Sequence, residues 1–256
     1  NGLDETSQFN NLYEALRDNF KRIITLNSDI EKFEEFYSNL GWKILFSSIS
    51  SSSEDINTTK LLQHIANEAG FNTDFEFIEN VQFSDEGIFK DDEIFEFWFK
   101  LIPWENIGIE ESELALILTD IIKDKKAIIF NPAYTLIFQS KAFMKILWDL
   151  YPNHPLLLET SFEPLRGKKC VEKRAFGREG ANTKIINADG SIDIQTSGEY
   201  EEHKPIYQEY VEFPKDENGN FYQAGVFYSY EACALGFRRG GKILNNMSKF
   251  VGHMIK

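Results

Sequence analysis

Between residues 42 and 130 the apolar spacing switches repeatedly between a short continuous run and a period near 3.6, and that alternation limits this stretch to an α/β layer. WKILFSSI (42–49) reads as a buried strand, and INTTKLLQHIANEAG (56–70) as an amphipathic helix that Gly70 ends in a left-handed cap. TDFEFIENV (73–81) and IFEFWFKL (94–101) read as two further strands. ESELALILTDIIKD (111–124) is helical in pattern and KAIIF (126–130) is a strand again. Upstream, a helix over 7–27 places Phe9, Leu12, Tyr13, Leu16, Phe20, Ile23 and Ile24 on one face, and a second is expected over 29–39. Strands separated by helices pair in parallel.

Near residue 160 the character changes. CVEKRAF, TKIINADGSIDIQT, IYQEYVEF and NFYQAGVFYSYEACALGF are strand-rich and broken by Ala188-Asp189-Gly190 and Glu217-Asn218-Gly219, whose Asp-Gly and Asn-Gly pairs suit hairpin turns. The fold class expected is therefore α/β followed by a mainly antiparallel α+β part, with the seam in 125–165, where ligands tend to sit.

Charge removes some partners. The 256 residues carry 41 acidic and 27 basic side chains, a net charge of -14, which argues against nucleic acid or an anionic membrane as the main partner. A hydrophobic fraction of 42% suffices for a core. Two cysteines, Cys170 and Cys233, make no disulfide framework, and no Cys/His spacing suits zinc, so a reduced, cytoplasmic setting is the default. No apolar run approaches the ~18–20 residues that cross a bilayer. Residue 1 is Asn rather than Met, so either the start is processed or the chain is part of something longer.

Three segments bear on chemistry. GFRRGGK (236–242) has the spacing of a phosphate loop, but Ile243 stands where Ser or Thr should hold magnesium, so a strand end with a Gly-Gly turn is the better reading. CVEKRAFGREGAN (170–182) puts Lys173 near a strand end before the glycine-bounded loop Phe176-Gly177-Arg178-Glu179-Gly180, with the next strand near Thr183. A lysine beside such a loop can cover phosphates, since glycine lets backbone N–H groups approach and Arg178 offers a bidentate fork. Taken alone, an ordinary charged hairpin is the better reading of this segment. IYQEYVEFP (206–214) leaves Ile206, Glu209 or Tyr210, and Phe213 to compete for the core, and its exit can present backbone groups to an adenine edge.

Five ordered matches along the chain resemble the glutathionylspermidine synthase family, whose ATP-dependent part is an ATP-grasp ligase: Ser7-Gln8-Phe9-Asn10 with Glu14-Ala15-Leu16, Phe99 through Glu105 (FKLIPWE), Ser140-Lys141 with Leu147-Trp148, Tyr151-Pro152-Asn153-His154-Pro155, and Lys173 with Gly177 through Asn182. The resemblance implies a pre-ATP-grasp-like region over 1–125 and an ATP-grasp region over 126–256. It implies that Lys141 and Lys173 face nucleotide phosphates, that Phe176, Gly177, Glu179 and Gly180 close over them, and that Arg178 meets the γ-phosphate. It makes Gln208, Glu209, Tyr210 and Val211 the adenine hinge and Ile243 an apolar floor. The implied reaction joins a peptide or amino-acid carboxylate to an amine, a polyamine among the candidates, through an acyl phosphate, with ATP and magnesium as cofactors.

The sequence also departs from the family pattern. Arg174 replaces a Pro, Asn131-Pro132-Ala133-Tyr134-Thr135 stands for an EPAWK segment, and Arg238-Arg239 stands for an Arg-Glu pair. The family's magnesium carboxylates lie in a region with no counterpart here, so the chain is expected to be the C-terminal portion of a longer ligase that is inactive on its own. A non-catalytic binding or scaffold domain that keeps the fold is the alternative.

Overall fold

The structure, a computed structural model, describes residues 7–28 and 43–254. The helix expected over 29–39 lies outside the described residues. In chain order come α1 (Ser7–Ser28), β1 (Lys43–Ser48), α2 (Ser53–Glu68), β2 (Asn72–Phe77), β3 (Gln82–Ser84), β4 (Gly87–Lys90), β5 (Glu93–Phe95) and β6 (Phe97–Lys100). They are followed by α3 (Trp104–Glu110), α4 (Ser112–Lys123), β7 (Ile128–Ile129), α5 (Thr135–Gln139) and α6 (Ala142–Leu150). The remainder is β8 (Thr160–Ser161), β9 (Cys170–Arg174), β10 (Lys184–Ile186), β11 (Ile192–Gln195), β12 (Pro205–Glu209), β13 (Phe221–Ser229), β14 (Glu231–Gly240) and β15 (Lys249–Val251). The described residues divide into two compact units: 9–28, 43–133 and 228–233 form the first, and 7–8, 134–227 and 234–254 the second.

The first unit is built on a parallel sheet of order β2-β1-β6-β7. Its central strand, β1, is buried from Ile44 to Ser48, which is why its sequence runs apolar instead of alternating. Ser52 caps α2 by accepting from the Asp55 N–H. The helix ends in a Schellman turn, with Gly70 N–H on Asn67 C=O, Phe71 N–H on Ala66 C=O, and Gly70 at φ +110°. Phe71 sits at the centre of the core, edge-on to Phe20, Phe97 and Phe130 at 5.9, 6.4 and 6.1 Å. From α1, Phe20, Ile23 and Ile24 pack on this core, whereas Phe9, expected on the same face, is exposed.

The run 94–101 is two strands, not one. β5 pairs antiparallel with β4, while β6 pairs parallel with β1, and the chain changes sheet at Glu96. Phe95 and Phe97 are both buried, and the carboxylate between them is carried inside with Oε2 lacking a hydrogen-bond partner. Desolvation pushes its pKa up to about 7. Because the folded state holds a proton that the unfolded chain has lost, stability falls as pH rises from about 4.5 to about 7. Glu96→Gln is therefore expected to stabilise the protein by about 2 kcal/mol at pH 8 and hardly at all at pH 5. Urea midpoints at the two pH values check this; an equal gain at both would refute it.

FKLIPWE is a structural corner. Lys100 is fully buried, donates to Ile102 C=O at 2.6 Å, and lies 4.0 Å over the Trp104 ring. Asn131 closes the corner by accepting from the Lys100 N–H and donating to the Lys100 C=O, while its own C=O accepts from Trp104 Nε1. An amide can do both; the acid of the family pattern can only accept. The tip of the β13–β14 hairpin also belongs to this unit: Asn19 donates to Ser229 Oγ, and the Arg22 guanidinium lies 3.9 Å from the Tyr230 ring centre.

The second unit holds an antiparallel sheet of order β11-β10-β9-β12-β8 and the ribbon β13-β14-β15. Gly190 and Gly219 take φ of +88° and +83° at the two expected turns. Within the 206–214 segment the strand β12 ends at Glu209, and its alternation buries Ile206 and Gln208, not Tyr210 or Phe213. The apolar pattern misses Gln208 because its amide is satisfied internally. β14 ends at Gly240, so GFRRGGK forms a strand end and turn as expected.

Candidate functional site

A cleft of about 480 Å³ lies within the second unit. One wall is the five-stranded sheet, through Val171, Lys173, Ile185 and Gln208; the other comes from Phe221, Gln223 and the turn Lys242–Leu244. Of the residues named from sequence, Lys141, Lys173, Gly177, Arg178, Glu179, Gly180, Gln208, Glu209, Tyr210, Val211 and Ile243 all line it. Phe176 does not: its ring packs 5.6 Å from that of His203.

β9 alternates across the sheet, so Lys173 faces the cleft while Glu172 takes the other face, 3.1 Å from Lys184 and 3.5 Å from Arg174. Lys141, at the start of α6, donates its backbone N–H to Ala175 C=O and its ammonium to Gly177 C=O, which brings it to the same end of the cleft. Burial and the neighbouring Lys141 charge push the Lys173 pKa down to about 8. Burial, and then Arg178, push Lys141 down as well. Cations that depress one another across a cavity are poised to gain from an incoming anion.

The loop carries left-handed residues at Glu179 (φ +54°) and Gly180 (φ +70°). A Cβ on Gly180 would stand 2.4 Å from Leu244 O and 2.9 Å from Ile243 Cγ2, so the loop touches the 243–244 turn across the mouth of the cleft. Gly180→Ala is expected to lift the loop off that turn and raise amide exchange over 176–182. Unchanged exchange protection there would disprove the contact's importance.

At the other end, Asp193 bridges Lys169 at 2.7 Å and Lys242 at 2.6 Å, with both ammoniums near the Tyr210 ring. The two lysine hydrogen bonds, Lys169 first, hold the Asp193 carboxyl down at about 2. Glu209 and Tyr210 already donate their N–H groups to Glu159 and Lys169 carbonyls. Val211 is therefore the first residue after β12 whose backbone N–H lies beyond those two bonds. Sequence reasoning missed Thr160, whose hydroxyl accepts from Gln208 Nε2 at 3.2 Å; a lone Thr in a two-residue strand gives no signal. Among the described residues no group of three or more His, Cys, Asp and Glu side chains converges, and no helix is long and apolar enough to cross a membrane.

Comparison with known proteins agrees with the motif resemblance. The bifunctional glutathionylspermidine synthetase/amidase of Escherichia coli is 32% identical over 123 residues, covering 47% of this chain and 19% of that protein. A putative acid–amine ligase of Haemophilus influenzae is 26% identical over 266 residues, 98% of this chain and 63% of that protein. Trypanothione synthetase of Crithidia fasciculata is 28% identical over 138 residues, 52% of this chain and 21% of its own. The chain thus spans about a fifth of the first of these relatives. Among solved structures, a putative gamma-glutamylcysteine synthetase from Methylobacillus flagellatus aligns over 96% of this chain and 74% of its own, with 11% identity and a TM-score of 0.45. The glutathionylspermidine synthase preATP-grasp family matches residues 1–256 from end to end, and with its mixed parallel and antiparallel α/β architecture the chain belongs to that family.

Proposed function

We propose that this chain is the nucleotide-binding portion of an ATP-dependent carboxylate–amine ligase, with ATP seated in the second unit's cleft. The observation that carries this reading is the convergence of Lys141, Lys173 and Arg178 on one cleft whose other end runs out at Tyr210 and Val211. The three cations neutralise phosphate oxygens. Val211, beyond the last paired residue of β12, offers its backbone to the adenine edge, and Ile243 gives an apolar surface beneath the base.

In this reading an oxygen of the acid substrate attacks the terminal phosphorus and ADP leaves, giving an acyl phosphate. The amine then attacks the acyl carbon and phosphate leaves, giving the amide. Positioning and charge neutralisation are what these side chains contribute. The names of the relatives point to a peptide carboxylate and a polyamine as the partners. Magnesium, when bound, offsets charge on the triphosphate, but the described residues do not assemble a carboxylate set for it, and no step is routed through it.

Calorimetric titration of the 256-residue chain with ATP tests the nucleotide half, with saturable binding expected. ADP release that requires both an acid and an amine, measured on the natural protein, tests the ligase half. Absence of ATP binding at millimolar concentration would remove the first. Binding without amine-dependent turnover would favour the scaffold alternative.

A further inference from the structure

The side chain of Gln208 lies in the cleft, but both ends of its amide are already engaged. Lys173 Nζ donates to Gln208 Oε1 at 2.8 Å, and Gln208 Nε2 donates to Thr160 Oγ1 at 3.2 Å. Thr160 Oγ1 in turn donates to Leu158 C=O at 3.0 Å. The direction of this chain is forced at one end. An ammonium has only protons to give, so the amide must present its oxygen to Lys173 and its NH₂ to Thr160, whose hydroxyl proton then goes to the carbonyl. Thr160 and Gln208 are both buried, and the β8–β12 pairing holds them in register, with Gln208 opposite Thr160. Leu158, which ends the chain, also lines the cleft.

We infer that Gln208 and Thr160 are positioning residues that aim the Lys173 ammonium at the phosphates, and that Gln208 does not read the base. Ordering Gln208 through a buried hydroxyl fixes the lysine head without a carboxylate, which would offset the charge the phosphates need. The base is then met by backbone at Val211, and Gln208 variants act on the phosphate side alone. This inference rests on the nucleotide reading and departs from the adenine hinge that the resemblance implies, in which Gln208 stands at the base.

The test measures dissociation constants of the chain for ATP, GTP and inorganic tripolyphosphate. Thr160→Val removes the hydroxyl at constant shape and is expected to weaken all three by a common factor of about fivefold, the effect of one hydrogen bond. Thr160→Ser restores the hydroxyl and is expected to recover binding to within about twofold of the parent. Gln208→Leu is expected to weaken all three by about tenfold or more, with the ATP-to-GTP ratio unchanged, and it carries the test if Thr160→Val fails to fold. A changed ATP-to-GTP ratio with tripolyphosphate binding intact would make Gln208 a base reader and overturn the inference. Parental affinity of Thr160→Val for all three probes would overturn the relay alone. A parent chain that binds none of the probes would overturn the nucleotide reading itself.

Discussion

Lys173→Met is expected to lower affinity for ATP by about a hundredfold and, at the same time, to raise the melting temperature of the nucleotide-free protein. The two effects share one cause. In the empty cleft the ammonium is desolvated and repelled by Lys141, which is why its pKa falls to about 8. Removing it relieves that cost at neutral pH, and although the hydrogen bond to Gln208 Oε1 is lost, a net gain of about 1 kcal/mol is expected. With nucleotide present the same charge meets phosphate. A lysine whose folded pKa is depressed costs stability below about 8, and the cost disappears as pH rises past its unfolded value of 10.5. The gain in melting temperature should accordingly be clear at pH 7 and absent at pH 11. ATP affinity of the parent should fall as pH rises above 8, because the lysine that binds phosphate is then losing its proton. A variant that binds ATP normally, or that melts lower than the parent at pH 7, would contradict this account.

Phe71→Ala is expected to cost about 3–5 kcal/mol, among the largest effects of any single truncation in the first unit. Phe71 is 2% exposed and stands between rings from three separate segments, Phe20 of α1, Phe97 of β6 and Phe130 after β7. Removing it leaves a cavity that three rings border and none can fill, since Phe97 and Phe130 are already stacked at 5.4 Å. Phe71→Leu retains most of the volume and should cost less than half as much. Urea unfolding at pH 7 measures both, and a cost below about 1 kcal/mol for Phe71→Ala would mean that the cluster closes over the gap.

The residues that could be read from sequence are those whose role is local. The Gly70 cap, the turns at Gly190 and Gly219, and Lys173 near the end of its strand each follow from backbone conformation or period over a few positions. Where reading failed, a long-range partner decided. Residues 94–101 carry one continuous apolar run, but β4 claims its first half and β1 its second, and nothing within the run announces the break at Glu96. Phe9 has the period of a core residue, yet it is exposed and its ring meets only the neighbouring turn's Tyr13 among the ring contacts of the described residues, whereas Phe20, three turns on, reaches the core. Phe176 belongs to the loop that lines the cleft, yet His203, brought alongside from later in the chain, draws its ring elsewhere. Gln208 alternates correctly for burial, but a polar residue is counted as buried only once Lys173 and Thr160 are known to meet it.

Residues 228–233 complete the first unit, and they lie some two hundred positions after α1, whose Asn19 and Arg22 they meet. During synthesis at roughly 5–20 residues per second, α1 therefore waits about 10–40 seconds for those partners. Until then the face that Ser229 and Tyr230 will cover is open to chaperones and proteases. A ribosome stalled before residue 228 holds a first unit with its sheet complete and this corner unsealed, so the order of translation is itself a constraint on how this chain can be shortened or fused.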